Sequence, residues 1–296
     1  MAIAESELII NSDGSVFHLH MKPEQLADTV ILVGDRDRVG MMKKYFNDVE
    51  SETSSREFVS FTGKYNGKRI TCLSTGIGIG NIDIVMNELD ALANIDFRTR
   101  EVKPEHRRLT ILRLGTCGAI QKDISIGSFV FSRYCIGTDG MVNWYANRES
   151  VVNTEVEETF ARHIHLMPYM ATPYFTKSAD RLADLFRDCT LEGMTVSTPG
   201  FYGPQGRELR IPLTLPNLLS DLESFRFDGM RILNFEMEGS AIAAMARHLG
   251  HEAGTVCCVL ANRYLKSMNT DYKSIVDKLI VLVLERLSSD QCQTLS

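Results

Sequence analysis

With 296 residues the chain is long enough to bury a large core, and 44% apolar with 24% charged residues is the mix of a soluble globular protein. A net charge of −6 without a long basic run argues against nucleic acid as a partner. The longest apolar run near the C-terminus, 279–284, is too short to span a bilayer, so no membrane role is expected.

Met1 to Ile10 carries Glu5 and Glu7 and lacks the basic start of a signal peptide. The seven cysteines (72, 117, 135, 189, 257, 258 and 292) form no Cys-x-x-Cys pair; scattered and odd in number, they read as reduced thiols of a cytoplasmic protein. Val16-Phe17-His18-Leu19-His20 is expected to be extended, with both histidines on one face. They are either a metal pair without a third nearby ligand or part of a surface or interface segment.

Thr29 to Val33 reads as a buried parallel strand. Gly34-Asp35-Arg36-Asp37-Arg38 then turns into a helix running to Phe46, which outlines an anion site of free N–H groups and helix dipole. Arg38 in that first turn is disfavoured by the dipole unless an anion or a carboxylate is near. After Ser55-Arg56-Glu57, a strand from Phe58 to Tyr65 turns at Asn66-Gly67, a two-residue hairpin signal, and returns to Ser74. Thr75-Gly76-Ile77-Gly78-Ile79-Gly80-Asn81 lacks the third glycine of a dinucleotide fingerprint, with Asn81 or Asp83 in its place. A helix from Ile82 to Leu92 follows, and 101–108 is a charged, solvated loop.

Leu109 to Gly115 is a buried strand that carries Arg113. An unpaired guanidinium there costs several kcal/mol, so Arg113 must meet either a core glutamate or a bound phosphate or carboxylate. Thr116-Cys117-Gly118 adds a hydroxyl and free N–H groups, and Cys117 has no adjacent base to make it a nucleophile. A strand over 127–136, an irregular excursion over 138–150, helices over 153–170 and 176–187, and a short strand at Met194–Ser197 come next. The Gly/Pro-rich loop 198–208 places Phe201, Tyr202, Gln205 and Arg207 together, a set suited to stacking on a planar ligand and reading its polar edge.

Met230 to Leu233 is the next strand, and a helix stopped by Gly250 follows it. Between them Glu236-Met237-Glu238 puts two carboxylates where a strand gives way to a helix, an edge where ligands bind in open α/β sheets. They either cap the helix or accept hydrogen bonds from a sugar diol. Thr255 to Ala261 is the last buried strand, ending in Asn262-Arg263, and an amphipathic helix spans 272–287. No repeat or linker interrupts the chain, so one α/β domain over 1–296 is expected, with 1–15 as an N-terminal extension.

Eight short motifs, in register from about residue 16 to 264, together resemble the nucleoside phosphorylase family. They are Phe17-His18-Leu19, Gly34-Asp35-x-Asp37-Arg38, Ser55-Arg56-Glu57-Phe58, Ser74-Thr75-Gly76-Ile77-Gly78, Arg113-Leu114-Gly115-Thr116-Cys117-Gly118, Phe201-Tyr202-x-x-Gln205-x-Arg207, Glu236-Met237-Glu238 and Asn262-Arg263. The resemblance implies a central mixed β-sheet flanked by helices, and a homo-oligomer whose sites are completed across subunits. Gly34, Arg38, Arg113 and Thr116 would hold phosphate, with Arg56 from a neighbour. Glu236, Met237 and Glu238 would hold ribose, with a neighbour's His18 near its 5′ end. Cys117, Gly118, Phe201, Gln205, Arg207 and Arg263 would surround the base, with Arg113, Gln205 and Arg207 carrying the catalysis. Asn262 stands where purine-cleaving relatives have an aspartate, which turns the expectation toward uridine. The implied reaction joins uridine and inorganic phosphate and needs no organic cofactor or metal. A purine phosphorylase, a nucleosidase or a non-catalytic nucleoside sensor on the same fold are the alternatives. The chain departs from the family pattern at Arg36, which replaces a proline, at Gly203-Pro204, and at Asn81, which replaces a serine of a monovalent-cation site near Glu57 and Ile77.

Overall fold

The computed structural model describes residues 2–270 and 272–289. β1 (Thr29–Val33) is buried throughout and lies between two parallel neighbours, as its branched apolar run predicts. Asp35 caps the next helix, α1 (Arg36–Lys43), by accepting the Asp37 N–H, so the helix both starts and stops earlier than expected. β2 (Asp48–Ser55) has no apolar signal in the sequence. Its residues alternate between exposed and half-buried at the sheet edge, where polar side chains discourage pairing with other chains. It pairs with β3 (Phe58–Tyr65), which returns as β4 (Lys68–Ser74) through Asn66 and Gly67, both at positive φ (49° and 79°).

Gly76 and Gly78, at φ 72° and 96°, carry the chain into α2 (Ile79–Asn94), three residues ahead of the expected start. The charged excursion after it is partly ordered, because β5 (Ile95–Asp96) and β6 (Glu101–Val102) form a separate small hairpin. β7 (Thr110–Ala119) and β8 (Phe129–Gly137) follow, then two short 3-10 turns and α3 (Thr154–His163). The helix expected over 176–187 is instead β9 (Tyr174–Lys177), antiparallel to β8, followed by α4 (Asp180–Phe186). Tyr174, Phe175 and Thr176 suit a pleated surface, and the Ser178 hydroxyl donates to the Ser132 carbonyl where the strand ends.

After β10 (Leu191–Ser197) the chain runs irregularly to α5 (Leu218–Ser224) and β11 (Arg226–Phe227), two elements beyond the sequence expectations. Asp228-Gly229, again at positive φ (50° and 71°), turns β11 into β12 (Met230–Glu236). α6 (Gly239–His248), β13 (Glu252–Asn262), β14 (Ser267–Met268) and α7 (Lys273–Ser289) complete the fold, and Cys292 lies outside the described residues.

The main sheet is mixed and has the order β11-β12-β10-β8-β13-β7-β1-β4-β3-β2. β12 also reaches back to β7, antiparallel at Asn234↔Ala119 and Phe235↔Gly118, so five strands close on themselves. That closure brings the C-terminal ends of β7 and β12 together, which chain order alone does not do. One face is covered by α2 and α6, the other by α1, α4 and α7, while α3 and α5 pack near β10 and β12. α6 is buried from Gly239 to Ala246; its four alanines let it sit close against β13 and α2. Residues 2–15 are tied down by Arg100, whose side chain donates to the Ile3, Ala4 and Leu8 carbonyls.

The segment around His18 is a turn, with His20 at φ 55°, so the two histidines do not share an extended face. His18 Nδ1 lies 2.6 Å from Glu88, and His20 faces Asp13.

Candidate active site

At the β7–β12 closure Arg113 lies between two carboxylates. Its Nη1 is 3.0 Å from Glu236 Oε2, and its Nη2 pairs with Glu238 Oε2. The three side chains are 7%, 0% and 4% exposed, so this is a desolvated cluster with one positive and two negative formal charges. Burial works against the charge on Arg113, but Glu238 and Glu236 outweigh it and hold the guanidinium protonated. Burial pushes the Glu238 carboxyl above its usual range, Arg113 draws it back, and Glu236 adds to the rise. Of the two partners the sequence offered Arg113, the structure shows the core glutamates. Gly115 makes this possible, since a Cβ there would overlap the guanidinium. Cys257 Sγ accepts from Arg113 Nη1 at 3.3 Å.

Glu236 also caps α6 from the end of β12. Its Oε2 accepts the N–H groups of Glu238 (2.9 Å) and Gly239 (2.8 Å), and its Oε1 accepts from the Ser197 hydroxyl. The helix-cap alternative thus holds for Glu236, and Arg113 is what gathers the two like charges. Glu238 takes a different partner: its Oε1 accepts the Gly78 N–H at 2.6 Å, which closes the glycine loop against the cluster. Met237, half-buried, lies between them. Ser197, Gly78 and Cys257 are members of this site that the motifs did not assign. For Ser197 the signal was its position at the end of a buried strand, like Thr116 and Glu236.

Arg38 reaches from the first turn of α1 to the end of β7, where its Nη2 lies 3.4 Å from Thr116 Oγ1. Its Nε is buried and has no partner among the described residues. Gly34 stands beside Gly76, whose carbonyl oxygen is 3.4 Å from where a Gly34 Cβ would be. Arg36 is held on β2 by the Ser54 hydroxyl at 3.1 Å. Arg56 is exposed at the β2–β3 turn (φ 53°), with its guanidinium 5.8 Å from the Phe17 ring, which stacks edge-on against His18. Glu57 and Asn81 both abut Gly76. Phe17, His18 and Arg56 form one patch, and Ile77, 76% exposed, adjoins the site through Gly78.

The loop after β10 is built around Gln205, which is buried. Its amide donates to Thr198 Oγ1 at 2.9 Å and accepts from Arg207 at 2.5 Å. Arg207 also donates to the Phe201 carbonyl and lies over the Phe201 ring, 3.7 Å from its centroid. Partial burial, helped by Arg263, pulls Arg207 down to about 10, still well above neutrality. Arg263 pins the loop by donating to the Gln205 and Gly206 carbonyls, and its stem covers Gly118. Cys117 is buried next to them, its thiol pushed up by burial and then by Cys257, which fits an inert side chain.

Asn262 differs from its expected role. Its amide donates to the Gln121 and Ile124 carbonyls, and its Oδ1 accepts the Tyr264 and Leu265 N–H groups. All its hydrogen-bonding capacity goes to backbone, so it folds the turn after β13. A cavity of about 1000 Å³ lies under the 199–215 loop, lined by Phe160, Val196, Leu222 and Phe235 among others. It shares Arg207 with the polar site but not Arg38, Arg113 or Glu238.

The fold and the strand-end cluster thus define an α/β protein with a buried Arg113–Glu236–Glu238 cluster at one side of the strand ends and the Phe201–Gln205–Arg207 loop at the other. The family model of the phosphorylase superfamily matches residues 28–283, and the chain belongs to that family. The uridine phosphorylase of Thermococcus kodakarensis is 30% identical over 254 residues, covering 85% of this chain and 79% of that protein. A DeoD-type purine nucleoside phosphorylase of Buchnera aphidicola is 25% identical over 274 residues, 91% of this chain and 96% of that one. The crystal structure of a Trypanosoma brucei nucleoside phosphorylase, described as showing uridine phosphorylase activity, superposes with a TM-score of 0.86. It is 28% identical and covers 95% of this chain and 99% of its own.

Proposed function

We propose that the chain cleaves uridine with inorganic phosphate, giving uracil and ribose 1-phosphate. The observation that carries the reading is the buried Arg38 Nε without a partner among the described residues, beside Thr116, which follows Arg113 on the same strand. A guanidinium edge free in a buried place is matched by a phosphate oxygen. Gly34, Arg38 and Thr116 then hold phosphate, Arg113 reaches it while it stays paired with Glu236 and Glu238, and Arg56 and His18 on their exposed patch serve the site of a neighbouring subunit. Glu236, Met237 and Glu238 hold ribose, and Cys117, Gly118, Phe201, Gln205, Arg207 and Arg263 surround the base.

The glycosidic bond lengthens first, and positive charge builds at the anomeric carbon. Phosphate placed beneath it supplies the compensating charge and then bonds to that carbon. Fixing phosphate there turns a bimolecular encounter into a nearly unimolecular step. The bonding electrons leave with uracil, whose developing charge Gln205 and Arg207 meet as preorganised donors. The step needs no metal and no organic cofactor.

A purine nucleoside as substrate is the second reading. It is favoured by one observation: Asn262 is spent on backbone, so its difference from aspartate does not select the base directly. The experiment follows base release from uridine and from inosine by ultraviolet absorbance, with and without inorganic phosphate. Uracil release that requires phosphate supports the reading. Faster release from inosine moves the substrate to purines, and release without phosphate makes the protein a hydrolase.

A further inference from the structure

Glu88 lies in the middle of α2, 9% exposed, and takes no part in the site described above. Each of its contacts to the N-terminal turn is with an N–H group. Its Oε1 lies 3.1 Å from the His18 N and 2.6 Å from His18 Nδ1; its Oε2 lies 3.1 Å from the His18 N and 2.9 Å from the Leu19 N. A carboxylate is acceptor-only, so the ring must present its proton at Nδ1. In the neutral ring Nε2 then carries the lone pair, and the imidazole, 28% exposed, is the outward end of the pair. Phe17 packs edge-on at 4.9 Å and restricts the ring further, while the Thr53 hydroxyl donates to the Leu19 carbonyl and fastens the turn to β2. A carboxylate that orients an imidazole and chooses its tautomer is the arrangement that prepares histidines for work elsewhere.

We propose that Glu88 is a positioning residue that fixes His18 with Nε2 as a hydrogen-bond acceptor, so that the site selects nucleosides with a free 5′-hydroxyl. This rests on the reading that His18 stands at the ribose 5′ end of a neighbouring site. A 5′-hydroxyl has a proton to donate to Nε2. A 5′-deoxy nucleoside has none, and an ionised 5′-phosphate brings only acceptor oxygens against a lone pair.

The test compares kcat/KM for uridine and 5′-deoxyuridine, with inorganic phosphate as co-substrate, in wild type, E88Q, H18A and the double variant. The wild type is expected to prefer uridine. E88Q lowers kcat/KM for uridine roughly three- to tenfold, the scale of one hydrogen bond, chiefly through KM, and leaves 5′-deoxyuridine unchanged. The double variant is no worse than H18A, because the two residues act as a unit. A merely structural Glu88 would lower both substrates alike, and that outcome, or an unchanged ratio, overturns the proposal. Nitrogen-15 spectra of histidine-labelled wild type decide independently of how E88Q folds: His18 must carry its proton on Nδ1, and a proton on Nε2 overturns the proposal. Absence of phosphate-dependent uracil release from wild type sinks the proposed function and the selectivity with it. Release with an unchanged E88Q ratio sinks only the role of Glu88.

Discussion

Replacing Arg113 with Leu removes the one cation between two buried carboxylates. Glu236 and Glu238 are 0% and 4% exposed, so water cannot take over the pairing. Breaking a buried pair by deleting one partner costs about 3–5 kcal/mol. With an unfolding entropy of about 2.1 cal/mol/K per residue, that is a fall of roughly 5–8 °C in Tm for a chain of this length. The loss depends on pH. Without the guanidinium the buried Glu238 carboxyl, already raised, holds its proton still more tightly folded than unfolded, so the folded variant binds more protons and gains stability as pH falls. Thermal unfolding of both proteins at pH 5 and pH 8 is the assay, with phosphate-dependent base release measured in parallel. The deficit should be larger at pH 8, and turnover should vanish. An equal deficit at both pH values, or one below about 1 kcal/mol, would refute the claim that the cluster is desolvated and held by Arg113. Near-normal turnover would remove Arg113 from the chemistry.

Gln205→Ala should lower kcat about 10²–10³-fold, the scale of one transition-state donor, with uridine as substrate; a change confined to Tm would end its base-reading role. Asn262→Asp replaces two N–H donors with a carboxylate facing the Gln121 and Ile124 carbonyls. It should lower Tm and leave the ratio of uridine to inosine cleavage unchanged; a switch toward inosine would show that position 262 reads the base after all. Glu238→Gln tests the raised carboxyl. A raised folded value means stability present in acid and lost as pH rises, so the variant should gain on wild type between pH 4.5 and 7.5. A variant that loses ground over that range would contradict the burial argument.

The sequence by itself determined those features whose physics is local. β1 declared itself by an unbroken branched apolar run, the β3–β4 hairpin by Asn66-Gly67, and the turn into α1 by a glycine after a buried strand. Arg113 declared that it needed an anion, because a guanidinium in a buried strand cannot go unpaired. Features set by a pairing partner were not legible. β2 carries no periodicity of its own and is a strand only because β3 supplies its ladder, and β9 is a strand rather than a helix because β8 is there to pair. Which anion Arg113 meets was decided by the closure of β12 onto β7, a contact between residues more than a hundred positions apart. The same holds for Asn262: its type suggested substrate choice, but only the folded chain directs its amide to the Gln121 and Ile124 carbonyls. Spacing along a chain fixes which groups are near in sequence; the register between strands fixes which of them share a desolvated site, and that register depends on the whole sheet.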